Sequence, residues 1–192
     1  MILYHGTSAY YGRMISEQGF QQGHPNWKVQ SKPGFIYLSV AYASFYTMVH
    51  PSHNSALVKV EVPDDRLYPD DDFVMYALKK PVYTQEELDD IDLEDYKHIA
   101  DASLSYLGNV CARIEDVKVL GVHYFDGKKL LWICDPSITP INYAIMGDYY
   151  RGMTEALYDG GMDAALEFAR LDRLEKYGPL EDALKLHNQT VT

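Results

Sequence analysis

The sequence predicts an α+β fold on three observations. Short apolar runs bounded by turn residues recur through residues 1–146 and indicate strands. Asp126-Gly127 separates two of these runs, and this dipeptide predicts a tight turn between antiparallel strands. From Gly147 onward, apolar residues recur at helical spacing. We therefore expect one domain of strands and helices over residues 1–146, followed by a helical C-terminal extension over residues 147–192.

The first elements of the chain have clear boundaries. Residues 2–7 form an apolar run, and Ser8 is a suitable N-cap for a helix that begins near Ala9. Gly19 has the position of a glycine that ends this helix. Residues 34–39 predict a second strand, followed by a helix that Pro51 ends near His50. Residues 55–62 alternate between valine-rich and polar positions, which predicts a third strand.

The middle of the chain, residues 64–108, is predicted to be helical with loops. Asp70-Asp71-Asp72 precedes a short helical pattern and is expected to cap it. Thr84 and Glu87 have the spacing of a capping box, and Gly108 follows the last helical face. Further on, residues 117–124 and 129–134 are the two apolar runs of the predicted hairpin.

Length and composition indicate an ordinary globular protein. The chain has 192 residues, of which 47% are hydrophobic, enough for one domain with its own core. Cys111 and Cys134 are the two cysteines, which do not make a disulfide framework. The sequence has no secretory signal pattern and no apolar run of membrane length. We expect a cytoplasmic protein without a membrane partner, and a toxin delivered without a signal is the alternative.

The charge is acidic and unevenly distributed. The net charge of −11 argues against generic nucleic-acid binding, which requires clustered Lys and Arg. Residues 1–63 hold four basic and two acidic residues, whereas residues 64–116 hold five basic and fifteen acidic residues. The segment 64–116 therefore reads as an acidic helical insertion, and the first segment is the one suited to an anionic ligand.

Residues 1–63 contain three short sequence motifs in this order: Tyr4-His5-Gly6-Thr7-Ser8, Gly34-Phe35-Ile36-Tyr37-Leu38-Ser39 and Ala43-Ser44-Phe45-Tyr46. This set resembles the nucleotide-binding half of the ADP-ribosyltransferase superfamily. The similar branch is that of diphtheria toxin and the poly(ADP-ribose) polymerases, labelled by a His-Tyr-Glu triad. The resemblance covers residues 1–62, with a weaker echo in residues 119–140. It implies a split antiparallel sheet with flanking helices, NAD as the substrate, and no metal.

The resemblance also implies roles for individual residues. His5 matches the histidine that hydrogen-bonds a ribose hydroxyl, and Gly6 matches the glycine whose backbone holds the carboxamide of nicotinamide. Tyr37 matches the tyrosine that stacks on the nicotinamide ring, and Tyr46 matches the one that closes its other face.

Two hydroxyl-bearing residues beside these positions, Thr7 and Ser39, are further candidates for contacts with the dinucleotide.

The third motif of the family departs from the pattern in this chain. Residues 129–138 resemble its last strand, but Leu130 stands where the glutamate that polarises the ribose 2′-hydroxyl is expected. Three alternatives follow. The chain transfers a single ADP-ribose, as relatives with an aliphatic residue there do; or Asp126 substitutes for the glutamate; or the chain binds nucleotide without catalysis. Loss of the glutamate argues against elongation of an ADP-ribose chain.

Other chemistry has less support in the sequence. His50 and His53 have a metal-like spacing, but no second pair of ligands completes a site, so we expect surface histidines. No P-loop, G-x-G-x-x-G or G-x-S-x-G motif is present. RNA 2′-phosphotransferases share the fold but need several arginines, and residues 1–63 contain only Arg13.

The resemblance thus implies a mono-ADP-ribosyltransferase that transfers ADP-ribose from NAD to an unidentified protein or nucleic-acid acceptor and releases nicotinamide. Its expected setting is that of a toxin-like phage or bacterial effector, acting in the host cytoplasm if phage-encoded or delivered. The alternative is a non-catalytic protein that binds NAD or ADP-ribose, or that binds a basic partner through the acidic segment 64–116. Residues 147–192 are a candidate surface for oligomerisation.

Overall fold

The structure is a computed structural model that describes residues 1–22, 31–48, 54–80, 82–127 and 143–177. Its strands are β1 (Ile2–Ser8), β2 (Phe35–Ser39), β3 (Asn54–Glu61), β4 (Leu67–Pro69), β5 (Asn109–Arg113) and β6 (Lys118–Asp126). Within the described ranges they form one six-stranded antiparallel sheet in the order β4-β5-β2-β1-β3-β6. The predicted α+β class is confirmed at this level.

The helices cover both faces of this sheet. They are α1 (Ala9–Gln18), α2 (Ala43–Met48), α3 (Asp71–Ala77), α4 (Gln85–Asp89), α5 (Leu93–Tyr96), α6 (Ala100–Leu107) and α7 (Tyr143–Tyr177). Short 3₁₀ turns lie at Asp64–Arg66, Lys97–Ile99 and Ile114–Asp116.

Local signals in the sequence set the helix ends. The Ser8 hydroxyl accepts from the Tyr11 N–H at 3.3 Å and caps α1, and the N–H of Gly19 bonds to the Ile15 carbonyl at its other end. Thr84 and Glu87 form the reciprocal capping box of α4. Side chains and left-handed glycine thus satisfy the unpaired groups at these termini, and the predictions for them are confirmed.

The alternation of β1 and β3 produces two cores. Tyr4 and Leu57 face one side of the sheet, where they pack with residues of α2 and α7. Leu3, Val58 and Val60 face the other side, in a cluster that includes Ile15 of α1. Because neighbouring side chains point to opposite faces of a strand, a short run of apolar residues supplies both layers.

The acidic segment 64–116, predicted as an insertion of helices and loops, also contains strands. It contributes β4 and β5 to the main sheet, and β5 lies between β4 and β2. Its helices α3, α4 and α5 pack around Tyr68 and Cys111 of these two strands. The segment is therefore part of the sheet domain.

The start of the C-terminal segment is also integrated with the domain. Helix α7 changes direction at Gly161, whose φ of 72° and ψ of −163° are not helical. Met153 and Leu157 of this helix are fully buried. The Thr154 hydroxyl donates to the Ala41 carbonyl at 2.6 Å. The described part of α7 is helical, as predicted, and packs in the core against Tyr4 and Leu57.

Several predictions concern residues outside the described ranges. The second run of the hairpin, Leu130 and Cys134 fall there, as do His50 and His53. The first run is described, and its strand β6 continues through Phe125 to Asp126. Among the helices of the described residues, none combines the length and hydropathy needed to cross a membrane.

Candidate functional site

A cleft opens between the two central strands. β1 and β2 are paired at one position, Tyr4 with Ser39. Beyond that pair, residues of both strands line a cavity of about 780 Å³ instead of continuing the ladder. Cavities of about 300–1,000 Å³ are typical of small-molecule and cofactor sites. The cavity is lined by all six residues that the sequence proposes for ligand binding, namely His5, Gly6, Thr7, Tyr37, Ser39 and Tyr46.

His5 joins the two strands where their backbones separate. Its Nδ1 lies 2.9 Å from the carbonyl oxygen of Tyr37. Because a carbonyl oxygen is an acceptor, Nδ1 carries the proton, and the neutral ring then has an acceptor lone pair on Nε2. Burial lowers the pKa of His5, opposed by the contact with the carbonyl, so the neutral form is favoured at pH 7. The Phe20 ring packs edge-on against the imidazole, 5.3 Å between centroids.

Gly6 lies directly against helix α2. A Cβ at this position would overlap the backbone carbonyl oxygen of Ala43 and press on the Thr47 methyl group at 3.0 Å. The sequence prediction attributes the glycine to crowding by a ligand ring. The structure supplies another reason, because the close approach of α2 to β1 already requires a residue without a side chain.

Tyr37 is fixed from its hydroxyl end. Its Oη donates to Asp71 Oδ2 at 2.5 Å and accepts from the Lys32 N–H at 3.3 Å. Burial raises the pKa of Tyr37, and the nearby Asp71 carboxylate raises it further, so the phenol stays protonated and is the donor. The contact is therefore a short hydrogen bond to a charged acceptor, a strong type that locks the ring orientation.

Tyr46 is oriented by a residue of β5. Asn109 Nδ2 donates to Tyr46 Oη at 2.7 Å. Asn109 is 6% exposed and also lines the cavity. The two tyrosines that the sequence selects thus lie around one cavity, and each has its hydroxyl held by a buried polar side chain.

Thr7 and Ser39, the two further candidates for ligand contacts, both line the cavity. Thr7 is buried in the cavity wall near the end of β1. The Ser39 hydroxyl donates to the Gly108 carbonyl at 3.0 Å and accepts from the N–H groups of Ala41 and Tyr42 at 3.1 and 2.7 Å. Its hydrogen is already used, so Ser39 shapes the turn between β2 and α2 rather than offering a donor to a ligand.

The acidic end of the cavity is the part that sequence reasoning missed. Asp70, Asp71 and Asp72 all line it. The sequence explains them as a helix cap, and Asp70 does cap α3, since its Oδ1 accepts from the Asp72 N–H at 2.9 Å. Burial raises the pKa of Asp70 to about 7 and also raises the pKa of Asp71. No local signal indicates that this cap faces Tyr37, because the contact depends on the pairing of β4 with β5.

Asp126 is not brought together with these residues. It is exposed at the end of β6 and pairs in register with Asn54 of β3. β6 is two strands away from β1, a separation of about 9–10 Å at ordinary strand spacing. Asp126 is not among the residues that line the cavity. We therefore leave it out of the candidate site.

Metal ligation finds no support in the described ranges. No group of three or more His, Cys, Asp or Glu side chains there has the geometry to hold a metal ion. The free thiol of Cys111 is buried, and its Sγ contacts the Pro69 carbonyl at 3.2 Å.

Comparison with protein-family models, with curated proteins and with solved structures gives no match.

Proposed function

We propose that this protein is a mono-ADP-ribosyltransferase that uses NAD, releases nicotinamide and modifies a macromolecular acceptor. The observation that carries the proposal is the meeting of His5, Gly6, Tyr37 and Tyr46 around one cavity. They come from β1, β2 and α2, and the sequence selects them without knowledge of that cavity. The single pair between β1 and β2 further supports the split sheet that the resemblance implies.

Each residue has a chemical task in this proposal. Neutral His5 accepts a ribose hydroxyl through Nε2, because its Nδ1–H is engaged by the Tyr37 carbonyl. The rings of Tyr37 and Tyr46 hold the planar nicotinamide, and the Gly6 backbone takes its carboxamide. Holding the dinucleotide in one orientation lowers the entropic cost of breaking the bond between nicotinamide and ribose. Nicotinamide leaves as a neutral molecule with the electrons of that bond. A nucleophile of the acceptor forms the new bond to the ribose C1′ carbon and releases its proton to solvent.

The test is transfer of label from NAD to proteins and nucleic acids of a cell lysate. We expect transfer by the wild type and at least a tenfold loss in His5→Ala and Tyr37→Ala, on the order of a lost positioning contact. His98→Ala and Tyr10→Ala are matched controls, because both residues are exposed and neither lines the cavity. Equal transfer by all four variants would place the activity at another site.

A non-catalytic NAD-binding or ADP-ribose-binding protein is the second candidate. It is favoured by the position of Asp126, which leaves the proposed site without the carboxylate that the sequence offers in place of the family glutamate. Thermal stabilisation by NAD without transfer of label would support this candidate and end the enzymatic one.

A further inference from the structure

Two buried oxygens at one end of the cavity lack partners. Asp71 Oδ1 and Asn109 Oδ1 have no hydrogen bond within the described part of the chain, and each residue is 6% exposed. Both side chains line the cavity. The backbones beside them are joined through Ser103, whose hydroxyl accepts from the Asp70 N–H at 3.0 Å and donates to the Asn109 main-chain carbonyl at 2.8 Å. A buried acceptor without a hydrogen-bond donor is costly, and a buried carboxylate also requires a compensating positive charge.

The other polar atom of each side chain hydrogen-bonds one of the two tyrosines that line the cavity. Asp71 Oδ2 accepts from the Tyr37 hydroxyl at 2.5 Å, and Asn109 Nδ2 donates to the Tyr46 hydroxyl at 2.7 Å. A phenol that donates to a carboxylate gains electron density in its ring. The ring face then attracts a cation more strongly, because cation–π attraction depends on the negative potential above the ring. Asp71 can therefore act on a ligand through Tyr37.

The positive charge of Lys32 acts on Asp71. The Lys32 ammonium group counteracts part of the effect of burial on the pKa of Asp71. Its Nζ donates to the Asp89 carbonyl at 3.4 Å on the exposed surface, where solvent screens it. Asp70 and Asp72 add two acidic groups to the same end of the cavity. No three-ligand metal group lies among the described residues there, and an organic cation matches the charge of the Asp71 carboxylate.

We propose that Asp71 makes the Tyr37 end of the cavity selective for a positively charged planar ring, an N-alkylpyridinium, over a neutral ring of the same shape. This inference deepens the proposed function, on which it rests for the identity of the ring as the nicotinamide of NAD. Asp71 is a positioning residue for Tyr37 and the source of the charge preference.

The test uses two small ligands that differ in charge, the 1-methylnicotinamide cation and neutral nicotinamide, with affinities measured by calorimetry on the full chain. We expect the wild type to bind the cation about tenfold more tightly, on the scale of a cation–π contact. Asp71→Asn retains an acceptor for Tyr37 but removes the charge, and the preference should fall to less than about twofold on the same scale. Asp101→Asn removes an exposed carboxylate outside the cavity and should keep the full preference.

Tyr37→Phe provides a second variant in case Asp71→Asn does not fold. The Tyr37 hydrogen bond lowers the pKa of Asp71, so losing it favours the neutral carboxyl and should also reduce the preference. Equal affinities in the wild type, or an unchanged preference in both folded variants, overturn the inference. Transfer of label from NAD without a ring preference removes this inference and leaves the proposed function. A preference for the cationic ring without binding or turnover of NAD keeps the charge preference and removes the proposed function.

Discussion

At Gly6, both the proposed ligand contact and the packing of helix α2 require a residue without a side chain. The resemblance selects it for the approach of a carboxamide, and the structure adds a helix backbone where its Cβ would be. Because the atom in the way belongs to a main-chain carbonyl, it cannot turn aside as a side chain does. The position therefore tests packing independently of any ligand.

Gly6→Ala should destabilise the fold by about 1–3 kcal/mol, the usual cost of overpacking. Urea denaturation of the free protein measures it. Gly147→Ala is the matched control, since the nearest atom to its added Cβ is Tyr42 Oη at 3.9 Å and the residue lies within α7. Alanine there should raise the free energy of unfolding by up to about 1 kcal/mol. Equal stability of Gly6→Ala and wild type would contradict the packing described.

The start of helix α3 combines a structural and an electrostatic role. Asp70 caps the helix, and Asp71 in its first turn holds Tyr37. Both carboxyl groups are buried, which penalises their ionised forms. The stability of helix α3, which orients the Tyr37 ring, therefore depends on pH.

Asp70→Asn should change that dependence. The pKa of Asp70 rises from 3.8 to about 7 on folding, so between these values the folded state binds more protons than the unfolded state. Its stabilising effect is thus present at low pH and is lost as the pH rises to about 7. Asparagine caps helices as well as aspartate does, without titrating.

Urea denaturation at pH 5 and pH 8 measures this difference. Relative to Asp70→Asn, the wild type should lose about 2–3 kcal/mol of unfolding free energy between the two values. Asp101→Asn, which removes an exposed carboxylate of α6, should follow the wild type. Parallel profiles for wild type and Asp70→Asn would show that Asp70 ionises normally in the folded state.

On the scale of the whole molecule, α7 connects the end of the described chain to its beginning. Its residues pack on Tyr4 of β1 and on Ala41 and Tyr42, which precede α2. Those same segments carry His5, Gly6 and Tyr46. The shape of the cavity therefore depends on a helix that the sequence resemblance does not cover.

Leu157→Ala should destabilise the protein by about 2–5 kcal/mol, because Leu157 is fully buried and its removal leaves a cavity. Leu166→Ala is the matched control on the same helix, since Leu166 is 43% exposed. Its effect should be close to the ±0.5 kcal/mol that is usual for surface positions. Thermal and urea unfolding measure both, and similar losses for the two variants would contradict the burial of this face of α7.

The candidate site follows from the sequence in part. His5, Gly6, Tyr37 and Tyr46 are selected by order and spacing, and they do line one cavity. Asp71 and Asn109 have no such signal, because each meets its tyrosine through strand pairing between distant segments. Asp126 is close in sequence to the third motif of the family, yet it does not line the cavity. Its distance from the cavity is set by the position of β6 in the sheet.

The sequence by itself determined what short-range physics controls. Helix caps, left-handed glycines and strand alternation act within a few residues. Ser8 and Gly19 therefore cap the two ends of α1 as predicted, and Thr84 forms the predicted capping box. The tertiary structure alone decided that β4 and β5 join the sheet, that α7 closes the core, and that a helix cap faces Tyr37. These outcomes depend on which distant surfaces bury one another, and that choice is made by the packing of the whole chain.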